Sequence, residues 1–186
     1  YTTARDVAIM SKELITKYPQ IYDYTQIWME DITHTTKKGS STFTLANTNK
    51  LLKQYEYATG LKTGSTDKAK YCFCGTAQKD GMNLIAVVMA APDFKVRFQE
   101  TMKLLDYGFA NYSVVNAAEK IGSLDKQAVI SGKADYLTPV ADPATSFIVK
   151  KGNQDKVECE VSINEPLRAP IAKGEKIGIA TLRIGD

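Results

Sequence analysis

Apolar residues recur at helical spacing at the start of the chain. Val7, Met10, Leu14 and Tyr18 fall on one face of a helix predicted over residues 3–17, with Thr3 and Asp6 as its capping pattern and Pro19 as its stop. Residues 20–46 are Thr-rich without a clear period, and Lys37-Lys38-Gly39-Ser40 reads as a turn. Asn47-Thr48-Asn49-Lys50-Leu51-Leu52 reads as a loop leading into a short helix. From Leu61 the period changes to that of strands, with one predicted over 71–77. The unbroken apolar run over 84–90 predicts a central strand covered on both faces. Lys79-Asp80-Gly81 between them is a hairpin signal. Asp93 then opens a helix with Phe98, Met102, Leu105 and Phe109 on one stripe and Gly108 near its end. The expectation is a three-stranded antiparallel unit with a helix returning across it.

After Tyr112 no helical stripe is visible. Short alternating runs at 128–130, 146–149, 157–161 and 176–180 are separated by turn sequences such as Lys151-Gly152-Asn153 and Ala172-Lys173-Gly174-Glu175. This pattern predicts a small all-β domain, a sandwich, with the boundary near residues 110–116. The fold class is therefore α+β.

Composition narrows the function. The 186 residues are 44% hydrophobic and carry a net charge of +3 without Lys/Arg runs, so nucleic acid is not a partner on these grounds. No segment approaches the roughly 18–20 apolar residues that span a bilayer. The three cysteines show no metal spacing and read as buried small hydrophobes. His34 is the sole histidine, and Glu30 and Asp31 lack a second His or Cys to complete a metal site, so it reads as a surface residue. The aromatic stretch Tyr18, Tyr22, Tyr24 and Trp28 reads as packing with partly exposed hydroxyls. The chain opens at Tyr1-Thr2-Thr3-Ala4 without a starting Met and reads as a fragment whose N-terminal portion is missing; Gly185-Asp186 reads as a stop within a strand.

The candidate chemistry lies in Gly60-Leu61-Lys62-Thr63-Gly64-Ser65-Thr66. A strand edge can receive a peptide as an added strand. Gly64 lets a ligand backbone approach closely. Lys62 supplies a cation, and the hydroxyls of Thr63 and Ser65 suit a terminal carboxylate. No activated nucleophile is visible upstream of this run.

Taken in order, Asn47 to Leu52, Gly60 to Ala69, Asp80 to Met89, Arg97 and Leu104-Leu105-Asp106-Tyr107-Gly108-Phe109 resemble the low-molecular-mass penicillin-binding proteins, in particular the D-alanyl-D-alanine carboxypeptidases. The opening helix resembles the one after that family's second motif. Residues 1–112 resemble the C-terminal portion of the penicillin-binding/β-lactamase-like transpeptidase domain, an antiparallel sheet with helices. Residues 113–186 resemble, on weaker motifs, the family's β-rich C-terminal domain. The family uses Ser-x-x-Lys, Ser-x-Asn and Lys-Thr-Gly motifs. Only the third has a counterpart here. Ser65-Thr66-Asp67-Lys68, Ser123-Leu124-Asp125-Lys126 and Ser162-Ile163-Asn164 match the other two literally but in the wrong order.

The resemblance implies acyl transfer by a serine supplied outside this chain, so the fragment alone is expected to be inactive. It implies that Lys62 assists proton movement, that Ser65 offers its backbone N–H to an oxyanion, and that Thr63, Gly64, Ser65 and Arg97 bind substrate. The implied partners are the peptidoglycan pentapeptide ending in D-Ala-D-Ala and β-lactam antibiotics, without cofactor or metal. The implied location is extracytoplasmic, with membrane association through segments absent here. Lys70 stands where the family usually has glycine, which is expected to alter strand twist beyond the motif. Two other readings stand beside this one: a non-catalytic β-rich spacer or docking module, and a class A β-lactamase-like hydrolase.

Overall fold

A computed structural model describes residues 1–142 and 145–185. They form two compact units, Tyr1–Ala110 and Asn111–Asp186. The first unit begins with helix α1 (Ala4–Lys17). Thr3 accepts the Asp6 N–H at 3.2 Å while the Asp6 carboxylate accepts the Thr3 N–H at 2.9 Å. These bonds to Thr3 hold the Asp6 carboxyl below its usual range. The inward stripe is Val7, Ser11, Leu14 and Ile15, whereas Met10 and Tyr18, expected on it, are exposed. Met10 sits about 100° around the helix from Ser11. Ser11 faces the sheet, its hydroxyl 3.1 Å from the Cys74 thiol. Tyr18 has left the helix, with φ −132° and ψ 62°.

Helix α2 (Ile21–Thr25) leads to the hairpin β1 (Met29–Thr36) and β2 (Gly39–Ala46), which pair from Met29↔Ala46 to Thr36↔Gly39. Only its turn was legible in the sequence. One face carries cross-strand hydroxyl pairs, Thr33–Thr42 at 3.0 Å and Thr35–Ser40 at 2.8 Å, and every residue of both strands is exposed. His34 belongs to this exposed hairpin.

After α3 (Leu51–Gln54) come β3 (Ala58–Thr66), β4 (Lys70–Lys79) and β5 (Met82–Ala91), an antiparallel sheet in the order β3-β4-β5. Asp80 and Gly81 take φ of 49° and 74°, the left-handed pair that a tight hairpin needs. The 84–90 run is not central: it lies in β5, at the edge of this sheet among the described residues. Its continuous apolarity reports cover on both faces. Ala86 packs with Phe98 and Leu105 of α4 (Val96–Asn111), while α1 packs on β5 from the opposite side. Lys70, at φ 52°, closes the β3–β4 turn in the left-handed region, which favours glycine. Before α4, the Asp93 carboxylate accepts the Lys95 N–H at 2.7 Å.

The core of this unit is Leu51, Phe73, Ala77, Ala86, Phe98 and Leu105, with the Phe73 and Phe98 rings edge-to-face at 4.9 Å. Gly75 allows the close approach: a Cβ there would meet Thr101 Cγ2 at 2.6 Å and Phe73 Cε1 at 2.8 Å. At the margin, the Tyr55 hydroxyl donates to Asp106 Oδ1 at 2.7 Å.

The second unit contains β6 (Tyr112–Asn116), α5 (Ala117–Ile121), β7 (Gln127–Ile130), β8 (Tyr136–Leu137), β9 (Ser146–Lys150), β10 (Val157–Ile163), β11 (Leu167–Arg168) and β12 (Gly178–Ile184). They form β6-β9, β10-β12 and β11-β7-β8 sheets, and the first two meet at a core of Val115, Val149 and Val157. The single turn of α5, capped by Asn116 Oδ1, is too short to show a helical period in sequence. The run expected at 176–180 enters its strand only at Gly178; Ile184 ends that strand, and Asp186, read as mid-strand, lies outside the described residues. The expectation of three buried cysteines fails. Cys74 is buried and Cys72 half-buried, but Cys159 is exposed on β10, and all three are free.

Gly75→Ala is expected to lower stability by about 1–3 kcal/mol through overpacking, read as a shift of the urea midpoint at constant slope. Burial first, then the Asp106 bond and charge, push the Tyr55 phenol well above the usual tyrosine range. Its raised folded value means this stabilisation is present below pH ~10 and lost as pH rises through that value. Burial also pushes the Tyr22 phenol up, so alkaline spectrophotometric titration of the ten tyrosines should show a late component that loses one tyrosine in Tyr55→Phe.

Candidate active site

The Lys-Thr-Gly-Ser run lies on β3, which pairs with β4 along one edge and ends the sheet along the other. Successive side chains alternate across the pleat. Register therefore puts Lys62 and Gly64 on the face shared with Cys74 and Cys72, and Thr63 and Ser65 on the face shared with Phe73 and Tyr71. Because Cys74 meets α1 and Phe73 meets α4, the two sets are aimed from opposite sides of one exposed edge. Further back, α2 docks where β3 has no side chain: a Cβ on Gly60 would lie 2.9 Å from Thr25 Oγ1, which donates to the Thr59 carbonyl at 2.7 Å.

Lys62 is exposed, and its ammonium donates to the Thr63 carbonyl at 2.8 Å. A Cβ built on Gly64 would meet nothing within 4 Å, so open space fronts the backbone there. Ser65 is exposed opposite Tyr71. Thr63 is half-buried, its hydroxyl 2.7 Å from that of Thr48.

Arg97, on the first turn of α4, reaches this strand from behind. It is 8% exposed, and Nη1 donates at 3.4 Å to the carbonyls of both Gly64 and Cys72. The guanidinium carbon lies 4.8 Å from the Phe98 ring centre and 5.5 Å from that of Tyr71. Among the described residues Nε has no hydrogen-bond partner and no carboxylate pairs with this cation. Burial pulls its pKa down, the direction expected of a cation short of countercharge. Arg97 and Lys62 thus bracket β3 with positive charge, one buried and one in solvent.

Thr48 was not singled out in the sequence. Its loop is pinned on both sides. The Asn47 N–H donates to the Trp28 carbonyl at 2.8 Å, and its amide nitrogen donates to the Ile27 carbonyl at 2.8 Å. Asn47 Oδ1 accepts the Asn49 N–H at 2.9 Å, and Asn49 Oδ1 accepts the Leu51 N–H at 3.1 Å. The spaced pair Asn47 and Asn49 was the available signal, since such side chains close Asx turns. Trp28 is half-buried beneath the ammoniums of Lys50 at 4.8 Å and Lys53 at 5.2 Å, whereas Tyr18 and Tyr24 are exposed. Of the literal serine motifs, Ser65 lies on β3 itself, Ser123 lies between α5 and β7, and Ser162 lies on β10. Among the described residues no group of His, Cys, Asp and Glu side chains could hold a metal ion.

An edge with open backbone, two cations and two hydroxyls can hold an extended peptide and an anion on it. Comparison with known proteins gives the chain its family. The family model for D-alanyl-D-alanine carboxypeptidase matches residues 1–93, and that for the penicillin-binding protein 5 C-terminal domain matches residues 109–186. D-alanyl-D-alanine carboxypeptidase DacF of Bacillus subtilis is 35% identical over 98% of this chain and 46% of the relative. DacA of Haemophilus influenzae is 33% identical over 96% of the chain and 44% of the relative. The chain thus spans about half the length of the curated relatives it matches. Penicillin-binding protein 5 from Haemophilus influenzae superposes with a TM-score of 0.70 at 30% identity, over 99% of this chain and 52% of that one. The Streptomyces K15 DD-transpeptidase gives 0.55 at 32% identity, over 59% of this chain and 42% of that one. The chain belongs to the D-alanyl-D-alanine carboxypeptidase family.

Proposed function

We propose that this chain supplies the substrate-strand half of a serine D-Ala-D-Ala carboxypeptidase. The observation that carries the reading is the exposed edge at positions 62–65, backed by a buried arginine with no acid partner among the described residues. The substrate is a peptidoglycan stem peptide ending in D-Ala-D-Ala, which lies along β3 as an added strand. Thr63 and Ser65 donate to its terminal carboxylate, and Arg97 supplies countercharge from beneath. Lys62 assists proton movement. The backbone N–H of Ser65 donates to the developing oxyanion, an interaction of a kind whose loss costs roughly 3–4 kcal/mol in activation free energy. The attacking serine comes from polypeptide outside residues 1–186. It forms an acyl-enzyme, the terminal D-alanine leaves, and water releases the shortened peptide. β-Lactams acylate the same serine.

The reaction takes place outside the cytoplasm, where peptidoglycan is. Membrane attachment would come from outside the described residues, in which no helix is long and apolar enough to cross a bilayer. The match of residues 109–186 to a penicillin-binding protein C-terminal domain supports this reading over that of a class A β-lactamase.

A fluorescent-penicillin gel tests the assignment. The whole protein should give a labelled band and residues 1–186 alone none; labelling of the isolated chain would show that its nucleophile had been misplaced. Arg97→Gln in the whole protein should weaken binding of the carboxylate-terminated peptide by roughly 10–100-fold, the range for losing a charge-assisted hydrogen bond. Steady-state kinetics against such a peptide checks this, with unchanged KM counting against the carboxylate role.

A further inference from the structure

We propose that Thr48 is a positioning residue that sets the direction of the Thr63 hydroxyl and so makes the site select a terminal carboxylate over a terminal amide. The proposal rests on the reading above. The two hydroxyl oxygens are 2.7 Å apart, so one of them donates to the other. Each hydroxyl has a single proton and can also accept. A carboxylate can only accept, so it needs the Thr63 proton. Thr48 must then donate into Thr63, giving a chain from Thr48 through Thr63 to the ligand. Such a chain strengthens its terminal donor. A primary amide presents donors as well as an acceptor. It can be satisfied with the Thr63 proton turned either way and gains less from a fixed direction.

The surroundings of Thr48 suit this role. Its hydroxyl makes no other hydrogen bond among the described residues. Its backbone is clamped between Asn47, whose amide bonds the chain on both sides, and Asn49, whose Oδ1 accepts the Leu51 N–H. Asn49 is 2% exposed, so this loop cannot shift without opening the core beside Leu51. Thr48 is itself exposed, so replacement by the isosteric valine leaves packing intact. The contact is closed across fifteen positions of chain and brings a loop residue onto the substrate strand, outside the Lys-Thr-Gly run.

The test compares kcat/KM in the whole enzyme for a peptide ending in D-Ala-D-Ala and for the same peptide with its terminal carboxylate amidated. Thr48→Val should lower the carboxylate-to-amide ratio about fivefold, mainly through a higher KM for the carboxylate, as expected for one neutral hydrogen bond. Thr48→Ser should restore the ratio, and Thr48→Ala should reproduce the valine result if valine disturbs folding. A ratio unchanged in valine and alanine variants, with both substrates slowed alike, would make Thr48 merely structural and overturn the proposal. A wild-type enzyme that releases no D-alanine from the carboxylate peptide would bring down the functional reading and this proposal together. An active wild type with an unmoved ratio would remove only the latter.

Discussion

The pairing of β3 with β4 is the constraint on which the rest of the first unit depends. It leaves β3 with one satisfied edge and one open edge, and its register decides which residues look toward α1 and which toward α4. A slip of one residue would exchange Lys62 and Gly64 with Thr63 and Ser65 across the sheet. The core opposes that slip. Phe73, opposite Thr63, is locked edge-to-face against Phe98, and Gly75 two residues on admits Thr101 where any side chain would collide. Packing beneath the sheet thereby fixes the aim of the groups on its rim.

Arg97 joins that packing to the electrostatics. It is buried beneath β3 and, among the described residues, has backbone carbonyls and aromatic faces beside it and no acid partner. In a low-dielectric position an unpaired charge is costly unless something compensates it. The two carbonyl bonds, at 3.4 Å, are long. Under the proposed function, an anion at the neighbouring edge would relieve the imbalance, so the buried charge that burdens the resting fold would strengthen ligand binding. Lys62, in solvent, carries no such penalty.

Some of this was legible from residue order. The α4 stripe through Phe98 and Leu105 follows a helical period, Asp80-Gly81 carries its turn chemistry within two residues, and Thr3 with Asp6 closes a capping box three residues long. The hairpin β1–β2 was not legible beyond its turn. One face carries Thr33, Thr35, Ser40, Thr42 and Thr44 together with Met29, Asp31 and Ala46, and the other mixes Ile32, Phe43 and Leu45 with polar residues, so no clean alternation marks it. The 84–90 run signalled cover on both faces, which holds over 84–88 but not at Met89 and Ala90, and it did not signal its place at the sheet edge among the described residues. Apolarity records what lies above and below a strand, whereas order in a sheet is decided by hydrogen bonds between backbones.

Sequence by itself determined the local periods, the caps and tight turns, and the order Lys62-Thr63-Gly64-Ser65 with its chemistry. Only the tertiary structure decided that Ser11 rather than Met10 faces the sheet, that Arg97 is buried beneath Gly64, and that Thr48 meets Thr63. Each of these depends on residues far apart along the chain. The physical reason is that a periodic pattern reports a local backbone geometry, whereas the meeting of two distant groups depends on how complete elements dock, and no short window of residues records that energy.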